Sequence, residues 1–156
     1  MADMKTRSIG LTVGLSLLAL AVCFASPQMG TWKLNEAKSK FAPGAPKNAT
    51  VIYAAAGDSI KVTVDGTDGD GKPAHSEWTG KFDGKDYPVT GDPTADMRSY
   101  KQMDDRTLEL TNKKSGKVTV TGKVVVSADG KTRTVTLSGT NAKGEKIEST
   151  AVYDKQ

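Results

Sequence analysis

The chain has 156 residues with 22 basic and 18 acidic side chains, a net charge of +4, 37% hydrophobic and 6% aromatic residues, one cysteine and one histidine. That is enough chain for one domain and too little for two of ordinary size. The lysines are scattered through turns and alternate strand positions, which keeps β edges soluble but does not form the concentrated basic face that nucleic-acid binding needs. A single histidine excludes a multi-histidine metal site.

Lys5 and Arg7 precede an apolar run from Ile9 to Ala25, broken only by small residues such as Gly10, Thr12, Gly14 and Ser16. Cys23-Phe-Ala25 places small residues at −3 and −1 for cleavage before Ser26. This layout reads as a secretory signal peptide over residues 1–25, followed by one domain over 26–156. The run falls just short of a bilayer span, and Val22 is not the small residue a lipoprotein signal wants before its cysteine. Cleavage removes the only cysteine and, with Asp3, Lys5 and Arg7, brings the net charge to +3. A domain without disulfides that buries its own core fits a secreted or periplasmic bacterial protein. A monomer without stable membrane insertion is expected. The sequon Asn48-Ala-Thr50 matters only in a glycosylating host.

After the leader the predicted elements are short. Gly30-Thr-Trp-Lys-Leu34 is a first strand, and Asn35 to Phe41 holds one helical turn capped by Asn35. Pro43 and Pro46 forbid a longer helix. Thr50 to Ala55 and Ser59 to Asp65 pair about Gly57-Asp58, and Ile60, Val62 and Val64 share one face with period two. Gly66 to Gly71 is a wide loop. Ala74 to Phe82, Lys85 to Val89 and Ala95 to Met103 continue the pattern. From Asp105 onward, alternating strands over Arg106–Thr111, Lys117–Val126, Thr132–Leu137 and Glu145–Tyr153 are joined by tight turns at Ser115-Gly116, Asp129-Gly130 and Asn141–Gly144. Turns this tight join antiparallel neighbours. The fold class is therefore all-β: an up-and-down antiparallel meander of about ten strands closing into a soluble barrel, or two orthogonal sheets. An outer-membrane barrel would need lipid-facing apolar residues and aromatic girdles, and neither is present.

Gly30-Thr-Trp32 at the head of the meander resembles the Gly-x-Trp opening of the calycins, the lipocalins and fatty-acid-binding proteins. Gly57-Asp-Ser-Ile60, the hairpins at Gly116 and Asp129-Gly130, and Val152-Tyr-Asp-Lys155 are most similar to fatty-acid-binding proteins. Lys81-Phe-Asp-Gly-Lys-Asp-Tyr-Pro-Val89 is similar to uncharacterised secreted bacterial proteins of lipocalin-like type. The resemblance implies a barrel with an internal ligand site, Trp32 near its start and Tyr153 near its end. It also implies a carboxylate-clamping arginine two residues before the terminal tyrosine, where this chain has Ala151, and a second internal arginine at about Val125. The helical lid of the family is cut to Glu36–Lys47. The clamp is absent, so a neutral apolar ligand is expected to bind better than a fatty acid.

The candidate ligand-binding residues are Trp78, Phe82, Arg98, Tyr100, Arg133 and Tyr153, with Trp32 as a structural plug closing one barrel end. Trp78 and Phe82 divide evenly between cavity wall and ordinary core. Tyr153 either offers its hydroxyl to a ligand or is a core tyrosine. Arg133 shares parity with Val135 and Leu137, but its closeness to the Gly130 turn suggests a rim arginine snorkelling to water, and Arg98 with Tyr100 is similar. Asp65-Gly-Thr-Asp-Gly-Asp-Gly71 lacks the closing glutamate and flanking helices of a calcium loop and reads as a flexible turn. His75 has Ser76 and Glu77 beside it, but strand neighbours point to opposite faces, so His75 and Glu77 share one face and Ser76 lies on the other, which separates the members of an acid–base or serine site. No cofactor and no enzymatic activity are expected. The leading function is binding of a small, mostly apolar molecule. The rival is a structural or protein-interaction barrel with a filled core.

Overall fold

The structure is a computed structural model that describes residues 26–156; the signal peptide expected over 1–25 lies outside the described residues. The strands are β1 (Gly30–Leu34), β2 (Lys40–Phe41), β3 (Lys47–Ala56), β4 (Ser59–Thr67), β5 (Pro73–Gly80), β6 (Tyr87–Thr90), β7 (Met97–Gln102), β8 (Thr107–Lys114), β9 (Lys117–Val126), β10 (Thr132–Thr140) and β11 (Lys146–Lys155). They form one sheet in the order β1-β3-β4-β5-β6-β7-β8-β9-β10-β11-β2, and β1 also pairs with β11. That last pairing closes a ten-strand meander into a barrel, with β2 as a two-residue addition. Closure removes the exposed edges that a sheet of this length would otherwise present.

β1 and β2 are one strand interrupted by a 3-10 turn at Glu36–Lys38. β1 pairs with the end of β11 (Leu34 opposite Tyr153), and β2 pairs further along it (Lys40 opposite Thr150). Asn35 caps the turn: its side chain accepts from the Lys38 N–H at 3.3 Å. The ladder to β11 survives the detour because the Asn35 N–H donates to the Val152 carbonyl at 2.8 Å. The Ser39 hydroxyl in turn accepts from the Val152 N–H at 2.9 Å. A side-chain oxygen thus replaces a missing backbone acceptor.

Period-two burial builds the core. Val62 and Val64 of β4, Leu108 and Leu110 of β8, Val120, Val124 and Val126 of β9, and Ile147, Ala151 and Tyr153 of β11 all point inward. Ser115 is the one non-glycine residue at positive φ among those described (48°), next to Gly116 at 77°. Two such residues in a row make the tight hairpin turn that matches strand twist.

Two strands end away from their predicted limits, β4 later and β5 earlier. β4 runs through Gly66 and Thr67, where a glycine and a threonine were expected to open a loop. A Cβ on Gly66 would stand 2.0 Å from the Lys47 carbonyl, so the glycine permits the close approach at which β3 shifts register between Asn48 and Thr50. β5 stops at Gly80, which leaves Phe82 in the following connection. Val125 is 41% exposed on the outer face, so it does not occupy the internal-arginine position assigned by resemblance.

Strand direction sorts the connections into two ends. The 57–58, 81–86, 103–106 and 127–131 turns lie at the end where β1 begins. The 42–46, 68–72, 91–96, 115–116 and 141–145 connections lie at the other. The first end is the closed base: Trp32 is fully buried there, and its indole N–H donates to the Gln28 carbonyl at 2.9 Å.

A candidate ligand cavity

The barrel is not filled by its own side chains. It encloses a cavity of about 270 Å³, walled by residues such as Val51, Tyr53, Tyr100, Leu110, Val124 and Tyr153. The cavity reaches the surface between the loops at the end opposite Trp32, where Gly44, Pro46, Asp68–Asp70, Asp92–Thr94 and Asn141–Lys143 line it. Across this mouth the Lys143 ammonium meets the Asp70 carboxylate at 2.7 Å, joining the β10–β11 connection to the β4–β5 connection. The 3-10 turn at Glu36–Lys38 does not line the mouth; the residues flanking it are bonded along β11 instead.

Arg133 sits at the inner wall toward the base. It opens β10, opposite Tyr153 of β11 and Val126 of β9, and lines the cavity on the same parity as Val135 and Leu137. It is not the rim residue expected from its distance to the Gly130 turn: only 2% of it is exposed. The turn is near, but this end of the barrel is the one plugged by Trp32, so the side chain cannot reach water past the base. Its guanidinium carbon lies 5.0 Å from the ring centres of Trp32 and Tyr53 and 4.8 Å from that of Tyr153. Such a cage stabilises a cation through the ring quadrupoles. No hydrogen-bond acceptor reaches its Nε or Nη1.

The surrounding phenols remain protonated at neutral pH. Burial pushes Tyr153 up to about 12 against the opposing pull of the Arg133 charge. Burial likewise drives Tyr53 far above its ordinary value, reinforced by Tyr100 and opposed by Arg133. Both therefore present neutral O–H groups.

Arg98 has the opposite situation. It is 7% exposed and lines the cavity, but its Nε donates to the Asn112 side-chain carbonyl at 2.7 Å and its Nη2 to Asp92 at 2.8 Å. This buried pair ties the β6–β7 connection at the mouth to β7 and β8. Arg98 is thus no rim arginine either. Tyr100 lines the cavity, whereas Trp78 and Phe82 lie behind it. Trp78 is 1% exposed, stacks with Phe82 at 6.4 Å, meets Tyr100 edge-on at 4.8 Å, and donates its N–H to the Arg98 carbonyl at 2.9 Å. These two aromatics hold the wall in place and do not contact the open space.

The strand pattern left Tyr53 unremarked, although its parity with Val51 in Thr50-Val-Ile-Tyr53 already turns it inward. Asp92 and Asn112 were also missed. Nothing local marks them, since each is paired with Arg98 only through the fold.

The remaining candidates lie outside the cavity chemistry. The His75 Nδ1 is 2.6 Å from Asp65 and its Nε2 is 3.6 Å from Glu77, which also meets Lys61 at 2.9 Å. The ring is 56% exposed. In the glycine-rich loop Asp68 accepts the backbone N–H groups of Asp70 and Lys72, both at 2.9 Å. Among the described residues, no group of three or more His, Cys, Asp and Glu side chains is arranged to hold a metal ion.

No family model matches the chain, and no curated protein matches it. Among solved structures, the chain is similar to a redesigned β barrel, mFAP1, bound to DFHBI, with 16% identity and a TM-score of 0.43 over 83% of this chain and 98% of that one. It is also similar to EF1p2_mFAP2b bound to DFHBI, with 13% identity and a TM-score of 0.48 over 85% of this chain and 96% of that one.

Proposed function

We propose that this protein is an exported, calycin-like barrel that takes one small, mostly apolar molecule into its interior through the mouth formed by the 42–46, 68–72, 91–96 and 141–145 connections. The observation that carries this reading is the cavity itself. About 270 Å³ of interior space with predominantly apolar walls is close to the lower end of ordinary small-ligand pockets, roughly 300–1,000 Å³. A barrel serving only as a structural or protein-interaction module would gain stability by filling that volume, because unfilled apolar space forfeits dispersion contacts. The mouth is open at one end and Trp32 closes the other, which gives a ligand one route in.

A binding role is favoured over catalysis. His75 is exposed on the barrel wall and already engaged by Asp65 and Glu77, and the buried Arg98 is held by Asp92 and Asn112. Export rests on the n-region, apolar run and small-residue exit of residues 1–25, with maturation between Ala25 and Ser26.

Native mass spectrometry of the protein purified from its own host tests both parts. The expected result is a polypeptide beginning at Ser26 carrying one small molecule, released on activation. A chain retaining residues 1–25 contradicts export. An empty protein that also takes up neither neutral nor charged small aromatic probes contradicts ligand binding.

A further inference from the structure

We propose that the ligand is a compact organic carboxylate whose charged end rests on Arg133 at the closed end of the cavity, with the apolar body pointing toward the mouth. This rests on the cavity being the binding site, and it departs from the neutral ligand that Ala151 suggested. The cation comes from β10 rather than β11. It faces Tyr153 across the strand pair instead of preceding it by two residues.

Three observations converge. First, Arg133 is buried with Nε and Nη1 lacking any acceptor; the only other buried side-chain polar atom without a partner among the described residues is Gln28 Oε1. Other buried polar groups find partners, as Arg98 does with Asp92 and Asn112. An orphaned pair of N–H donors on a permanent cation is costly, and an anion arriving with the ligand removes that cost. The three rings stabilise the charge through their faces but give Nε and Nη1 no oxygen acceptor.

Second, the interior supplies no counter-charge of its own. Asp92 is taken by Arg98, and the other carboxylates lining the cavity, Asp68, Asp70 and Glu145, belong to the mouth loops. The neutral phenol of Tyr153, register partner of Arg133, stands beside it as a hydrogen-bond donor suited to a carboxylate oxygen. One unpaired positive charge calls for one negative charge; a dianion would leave an excess charge in an apolar chamber.

Third, size limits the body. A space of about 270 Å³ suits a compact ring system rather than a long acyl chain folded into the same volume.

Titration calorimetry with 1-naphthoate, its neutral analogue 1-naphthalenemethanol, and dodecanoate tests the assignment. In the unmodified protein, naphthoate is expected to bind at least tenfold tighter than the alcohol and tighter than dodecanoate. Arg133→Met is expected to erase the preference for naphthoate while keeping the alcohol's affinity, and Arg133→Lys to restore part of it. The comparison in the unmodified protein stands even if Arg133→Met fails to fold. Equal affinity for naphthoate and the alcohol overturns the inference and leaves the binding barrel intact. A preference that survives Arg133→Met overturns it too, since the charge would then be read elsewhere, for example by Lys143 at the mouth. Tighter binding of dodecanoate overturns the compact body. If no probe binds, the binding reading falls and this inference falls with it.

Discussion

Two side chains at the base carry most of what distinguishes this barrel, and they do opposite things to its stability. Trp32 is fully buried and hydrogen-bonded to Gln28, with Arg133 on one side and the Lys155 ammonium 5.2 Å from its ring. Trp32→Ala is expected to cost about 3–5 kcal/mol in urea unfolding, the usual penalty for emptying a large aromatic site. Arg133 is buried without an acid. Arg133→Met is expected to stabilise the empty protein by about 1–3 kcal/mol, because it removes an uncompensated buried charge and keeps the side-chain volume. A loss of stability instead would mean that the aromatic cage fully satisfies the cation. His75 gives a pH signature. The Asp65 hydrogen bond, with help from Glu77, raises its pKa above 6.5. Its contribution is complete below the unfolded value near 6.5 and fades as pH rises through the higher folded value. An NMR titration is expected to find the His75 midpoint above 6.5 and to find it lowered in Asp65→Asn. At this scale the sequence showed which face Arg133 occupies but not its depth, because parity says nothing about which barrel end is plugged.

Strands were the most legible elements, and two of their displaced ends have a common cause. Alternation marked every segment of the meander, and β9 and the 3-10 turn capped by Asn35 appear where the residues indicated. The ends of β4 and β5 moved where a glycine serves packing rather than turning. Gly66 extends β4 because only a residue without Cβ fits against Lys47, and Gly80 faces the Tyr87 and Trp78 rings within β5. Gly122, inside β9, packs in the same way: a Cβ there would lie 2.2 Å from the Thr136 carbonyl and 2.5 Å from a Leu137 methyl. Gly122→Ala is therefore expected to destabilise by about 1–3 kcal/mol through overpacking between β9 and β10. An unchanged midpoint in chemical denaturation would show that β10 can move aside. The Lys143–Asp70 contact belongs to the mouth loops. Both partners are well exposed, so Lys143→Ala is expected to leave the unfolding midpoint unchanged while speeding amide exchange in 68–72 and 141–145.

For the molecule as a whole, the meander followed from turn spacing and the lack of room for helices, and the pairing of β1 with β11 decides for a closed barrel over two orthogonal sheets. The cavity could not be read in the same way. Its volume depends on how side chains from opposite walls meet, and sequence alternation records only that each one points inward. Hence Tyr53 joins Tyr100 and Tyr153 on the wall, while Trp78 and Phe82, equally aromatic and equally inward by parity, pack behind it. The central claim is that this interior space receives a ligand with its charged end at Arg133. A crystal structure of the protein soaked with 4-bromobenzoate, phased on the bromine anomalous signal, tests that claim most directly. We expect one bromine peak inside the barrel, toward the mouth, with the carboxylate within hydrogen-bond distance of the Arg133 guanidinium. Bromine only in the outer groove beside Phe41 and Gly122, or no ordered bromine with the cavity unchanged, would contradict it.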